Sequence, residues 1–86
     1  DRWIYVRGVP ESTLAPRIEE VRERVPGVYL KSHPEKREGE SFIRLYLRAV
    51  ARRRESCEKL LDRAEELIVK AVEELGGRIA EEGEAR

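Results

Sequence analysis

The sequence predicts an α+β fold: a two-layer βαββα sandwich in which two helices cover one face of a three-stranded sheet. Two observations carry that prediction. Three short segments alternate in hydropathy with period two, and two longer ones repeat apolar residues at intervals of three and four. Within the alternating segments only one phase is aliphatic: Ile4 and Val6, Val28 and Leu30, and Ile43, Leu45 and Leu47. A sheet with one aliphatic face takes its helices on that face alone.

The first strand runs from Arg2 to Gly8, where Gly8-Val9-Pro10 punctuates the chain. A helix follows at once, because Leu14, Ile18, Val21 and Val25 draw one apolar stripe while Arg17, Glu19, Glu20, Arg22, Glu23 and Arg24 fill the rest of the surface. Ser12 or Thr13 is the expected cap, which keeps Pro16 in the first turn, where a missing amide does no harm. Pro26-Gly27 stops this helix.

Val28 to His33 reads as the second strand, ended by Pro34. The run Glu35-Lys36-Arg37-Glu38-Gly39-Glu40 reads as a charged loop, leading by a long hairpin into the third strand, Ser41 to Ala51. From about Arg53 to Leu75 the period becomes helical: Cys57, Leu60, Leu61, Ala64, Leu67, Ile68, Ala71, Val72 and Leu75 form a broad apolar face. Gly76-Gly77 ends this helix, so the folded domain is expected over residues 1–77 and a frayed or disordered tail over 78–86.

The phase opposite to the aliphatic one holds all five aromatic residues. Trp3, Tyr5, Tyr29, Phe42 and Tyr46, interspersed with Arg7, Lys31, His33, Arg44 and Arg48, are expected on an open face with no element left to cover it. Five aromatics left half exposed rival the largest apolar patch on a typical monomer, so the face calls for a partner. Aromatic platforms flanked by bases stack single-stranded nucleic acid. The same composition is that of a protein interface.

Composition decides between these readings. Eighteen acids balance eighteen bases, so the uniformly basic field of a free-standing nucleic-acid binder is missing and the choice tilts toward protein. A charged fraction of 42% with no Met is the pattern of ion-pair-rich surfaces, and the source is read as a hyperthermophile. The chain begins at Asp1 directly in a strand, which reads as an excised piece of a longer protein. Without a long apolar run or a signal-like segment, the expected setting is soluble and cytoplasmic.

Catalytic chemistry is sought with little result. His33 reads as a solvated or packing histidine, and Cys57 falls on the core face of the long helix as a small hydrophobe. One Cys and one His cannot supply a four-ligand zinc site, and the glycines form neither a GxGxxG nor a P-loop. No catalytic, metal-binding or cofactor-binding residue is expected. Arg52-Arg53-Arg54 is the densest basic run and precedes a helix N-terminus, where cations oppose the dipole, so it is a candidate contact for an anion or an acidic partner.

Three stretches carry a family resemblance: Arg7-Gly8-Val9-Pro10-Glu11-Ser12-Thr13-Leu14-Ala15, Pro26-Gly27-Val28-Tyr29-Leu30-Lys31-Ser32-His33-Pro34, and Arg44-Leu45-Tyr46-Leu47-Arg48-Ala49. Together they resemble the domain that follows the molybdopterin-binding-like domain in the CinA (competence/damage-inducible protein A) family, its archaeal members above all. The resemblance implies a KH-like βαββα domain, and it implies that any pyrophosphatase-like activity on ADP-ribose-like nucleotides belongs to the preceding domain. Two features depart from the pattern. Acidic residues common before the last helix are Arg52 to Arg54 here, and the GxxG loop with which KH domains clamp nucleic acid is missing.

The expected function is therefore that of a non-catalytic accessory domain of a CinA-like protein. It packs through the aromatic face against its parent N-terminal domain or a second subunit, with single-stranded nucleic acid as the alternative occupant and no membrane contact.

Overall fold

The computed structural model describes residues 1–85; Arg86, the end of the expected tail, lies outside the described residues, as do the side chains of Lys36 and Ala85. Strand β1 spans Arg2–Arg7, helix α1 Glu11–Arg24, β2 Val28–Arg37, β3 Glu40–Ala49, α2 Arg54–Glu74 and β4 Arg78–Ala80, followed by a short 3-10 turn over Glu82–Ala85. All strand pairs are antiparallel, in the order β2-β3-β1-β4. This is the βαββαβ, split-βαβ arrangement of ferredoxin-like folds.

The α+β class holds, but the three-stranded βαββα sheet expected from the sequence is corrected to four strands. The fourth comes from the segment read as the start of the tail. Gly76, at φ +83°, reverses the chain after α2, and Gly77 then passes close under β1. A Cβ on Gly77 would stand 2.2 Å from Val9 Cγ2 and 2.8 Å from the Arg7 carbonyl oxygen, so only glycine lets the chain approach. Ile79 then pairs with Val6 and packs on the core, while Ala80 pairs with Tyr5.

The core is the aliphatic phase of the sheet against both helices. Ile4, Val6, Val28, Leu30, Ile43, Leu45 and Leu47 meet Leu14, Ile18 and Val21 of α1 and Leu61, Ala64, Ile68 and Val72 of α2 in one buried cluster. Arg2 lies in the same phase at the rim and ties β1 to α2. Its guanidinium reaches Glu58 at 3.0 Å and Asp62 and Glu65 at 2.9 Å, a stripe spaced four and three residues apart on one helix face.

Four local expectations are also corrected. Helix α1 begins at Glu11 with Pro10 at the cap, and Ser12 and Thr13 lie inside its first turn; among the described residues no side chain caps it. Pro10 instead offers its carbonyl oxygen to the amides of Thr13 and Leu14, both at 3.1 Å. Pro16 therefore falls in the second turn, where its missing amide leaves the Ser12 carbonyl without a helical donor.

The charged loop at 35–40 is no loop. β2 and β3 continue through it to the closing pair Arg37–Glu40, leaving only Glu38 and Gly39 to turn at φ 54° and 80°. Two consecutive left-handed residues are the signature of the tight hairpin turn that matches strand twist. Pro34 does not end β2, because β2 is an edge strand. Counting back from Arg37–Glu40, Pro34 stands opposite Ile43 at a non-hydrogen-bonded pair, so its nitrogen faces outward and costs the ladder nothing. On the same outer edge, Arg22 of α1 donates to the Leu30 carbonyl at 2.7 Å.

Candidate functional site

The open face is laid out by strand register. Reading across β2, β3 and β1, Lys31, Tyr46 and Trp3 form one row; His33, Arg44 and Tyr5 form the next. Beyond them Glu35, Phe42, Arg7 and Arg78 make a third row, and Tyr29 beside Arg48 closes the opposite end. Every residue assigned to this face from the strand phases stands on it. The face nevertheless splits into two halves of different character.

One half is an exposed aromatic cluster. Trp3 is 47% exposed and Tyr29 is 55% exposed, with the half-buried Tyr46 between them. The Trp3 ring lies 5.1 Å from that of Tyr46 and 5.8 Å from that of His33, and Tyr29 meets Tyr46 edge-on at 6.4 Å. These are ordinary aromatic pair separations, so the rings support one another and still present surface outward. Lys31, His33 and Arg48 border the cluster in solvent, and Arg44 lies half-buried beside Glu35, 3.8 Å away.

The other half is closed, which corrects the expectation that all five aromatics stand open. Phe42 is completely buried. The Arg37 guanidinium lies 4.3 Å from its ring centroid and that of Arg7 5.8 Å, while Tyr5 stacks beside it at 6.4 Å. The 3-10 turn lies over this end, held through Glu84. Arg78 grips the Glu84 carboxylate with both terminal nitrogens, at 3.1 and 2.7 Å, Arg7 donates to it at 3.1 Å, and Arg37 donates to the Glu84 carbonyl oxygen at 2.8 Å. The Arg78 hydrogen bonds first, then the Glu81 amide and Arg7, hold the Glu84 carboxyl down at about 2. Arg7 gives its other terminal nitrogen to Glu40 at 3.0 Å.

Arg52, Arg53 and Arg54 belong to neither half. All three are exposed beyond the end of β3, with Arg53 at the cap of α2 and Arg54 its first residue, and among the described residues no side chain caps that helix. Cys57 is half-buried, its sulfur 3.8 Å from the Ala49 carbonyl oxygen. Among the described residues no group of three or more His, Cys, Asp and Glu gathers as a metal site would require. None of their helices is long and apolar enough to cross a membrane.

Sequence reasoning missed Glu84, Arg37 and Arg78 as participants. Charge runs and a short Arg-Ile-Ala segment carry no periodicity that marks a strand or a lid. For Arg2 a signal did exist in the spacing of Glu58, Asp62 and Glu65, which face one way along α2.

No protein-family model matches the chain. Similar proteins occur in archaea. A protein of Aeropyrum pernix is 45% identical over 80 residues, covering 92% of this chain and 30% of that protein. A protein of Pyrobaculum calidifontis is 36% identical over 73 residues, 84% of this chain and 28% of its own length. Protein PAE0875 of Pyrobaculum aerophilum is 34% identical over 73 residues, with 27% of its length covered. The chain thus spans less than a third of the length of these curated relatives, each a considerably longer polypeptide into which such a domain fits as one part.

Proposed function

We propose that this chain is a non-catalytic accessory domain of a longer, CinA-like archaeal protein, and that it packs through the Trp3–Tyr46–Tyr29 cluster against its parent domain or a second subunit. One observation carries the reading: Trp3 and Tyr29, 47% and 55% exposed, flank Tyr46 on a regular strand surface, a patch whose cover by a partner would remove apolar area from water. Zero net charge and relatives more than three times the matched length support a role inside a larger assembly. Catalysis, including any pyrophosphatase-like step, then belongs to another part of that protein, and the setting is the cytoplasm.

Sedimentation of the 86-residue chain across a concentration series tests the proposal. Self-association that Trp3→Ala weakens supports it. A strictly monomeric chain that binds single-stranded RNA in a salt-sensitive way overturns it.

That second outcome is the alternative reading, and a specific observation favours it. Trp3, Tyr5 and Tyr46 stand on the two central strands of a four-stranded sheet, with Lys31, His33 and Arg48 in solvent beside them. RNA-recognition sheets stack bases on aromatics so placed.

A further inference from the structure

Three arginines from three different strands converge at the closed end of the face, and what they hold is this chain's own Glu84. We propose that Arg7, Arg37 and Arg78, with Phe42 at their centre, form a binding site for a glutamate-bearing acidic peptide segment, filled in cis by residues 82–85.

The site is built without help from its occupant. Arg7 pairs in register with Phe42 on one side and Arg78 on the other, so β1, β3 and β4 gather these groups whatever the turn does. Guanidinium groups brought this close repel unless anions lie among them. Glu40 takes one nitrogen of Arg7, and Glu35 engages Arg37. The fork of Arg78 and the other terminal nitrogen of Arg7 go to the Glu84 carboxylate. A two-nitrogen fork of this kind is the geometry by which arginine selects a carboxylate.

Peptide, rather than a small anion, is the ligand class because the contact has two parts. Arg37 donates to the Glu84 backbone oxygen at 2.8 Å while Arg78 and Arg7 take its side chain. The Nε of Arg7 is buried and has no hydrogen-bond partner among the described residues, so this arginine gives up one hydrogen bond to reach into the site. The occupant is short and separable: Glu82 and Gly83 are exposed, and neither they nor Glu84 belongs to a hydrophobic cluster.

Displacement of residues 82–85 by an acidic segment of a partner, or of a second copy, would swap one peptide for another over Phe42. Simple release would give up the Arg78 fork and the Arg7 contact to Glu84, while Phe42 keeps Arg37, Arg7 and Ala80 against it. The site stands whether or not the Trp3 cluster binds a partner, and it is tested separately from it.

The test titrates the isotope-labelled 86-residue chain carrying Glu84→Gln with the synthetic peptide Glu-Glu-Gly-Glu-Ala, the sequence of residues 81–85, while NMR follows the Phe42 ring and the guanidinium resonances of Arg7, Arg37 and Arg78. The peptide should shift those signals and bind the unsubstituted chain at least about tenfold more weakly, since there the native turn competes. Binding should weaken steeply between roughly 50 and 500 mM salt. The same peptide with its third glutamate replaced by glutamine should not bind. Equal affinity for the two chains overturns the proposal. So does binding that survives Arg78→Ala in a chain whose Ile43 and Leu45 signals remain native, or silence of all four groups at about 10 mM peptide.

Discussion

Trp3 and Tyr46 stand directly opposite each other on β1 and β3, ring centroids 5.1 Å apart and planes tilted by 53°. The pair is self-supporting on its inner side and open on its outer side. Trp3 is also the only tryptophan, so its fluorescence reports on this face alone.

Trp3→Ala removes ring contacts and roughly the half of the residue's surface that is buried, since it is 47% exposed. Stability to urea should fall by about 1–3 kcal/mol, the aromatic pair contribution plus part of the lost apolar burial. Association through the face should weaken by at least about tenfold, as expected for a central aromatic anchor. A loss of stability above about 3 kcal/mol with association unchanged would make Trp3 a structural residue instead.

Gly77→Ala tests the approach of the chain to β1. The new methyl would stand 2.2 Å from Val9 Cγ2 and 2.8 Å from the Arg7 carbonyl oxygen, of which the second cannot rotate away. Denaturation should show a loss of about 2–3 kcal/mol, and amide exchange at Ile79 should accelerate more than at Leu45 because β4 must shift. Gly83→Ala, where a methyl meets nothing within 4 Å, is the control and should be close to neutral.

Stability should depend on Glu84 in acid. Its folded carboxyl titrates at about 2 against an ordinary 4.5, so its contribution is present above pH 4.5 and is lost as the pH falls toward 2. Glu84→Gln should therefore be less stable than the parent at neutral pH, and the two curves should converge across that acid window. Parallel curves down to pH 2 would show that the Arg78 contact does not act on stability.

Arg2→Ala removes the guanidinium that Glu58, Asp62 and Glu65 share along α2. The expected loss is about 1 kcal/mol, at the upper end for a partly exposed ion pair because three carboxylates share one base. High salt should shrink the difference, and an unchanged difference at 1 M salt would point to lost packing of the arginine stem instead.

Much of this architecture is legible in the order of residues. The alternation of Ile4, Val6, Ile43, Leu45 and Leu47 announces which strand phase is buried, and Leu61, Ala64, Ile68 and Val72 announce the helix that buries it. What stayed hidden depends on long-range pairing. Arg78-Ile79-Ala80 is too short to show a period, and it becomes a strand only because Gly77 lets it reach β1. The charges of residues 35–40 look like a loop because polarity marks solvent, yet the strands continue there with Arg37 laid over Phe42. Phase placed Phe42 on the correct face but says nothing of what lies above it. Its cover combines Arg37, five positions away, with Arg7 and Ala80, thirty-five and thirty-eight positions away.

The outer edge of β2 has a consequence for how copies of this domain can meet. Pro34 offers no amide there, and Arg22 already occupies the Leu30 carbonyl. At the opposite edge β4 is three residues long. Neither margin can template a continuous intermolecular ladder, so growth of the sheet from molecule to molecule is disfavoured at both ends. Any association between copies is then left to the broad faces, which present no open row of backbone donors and acceptors along which a sheet could grow.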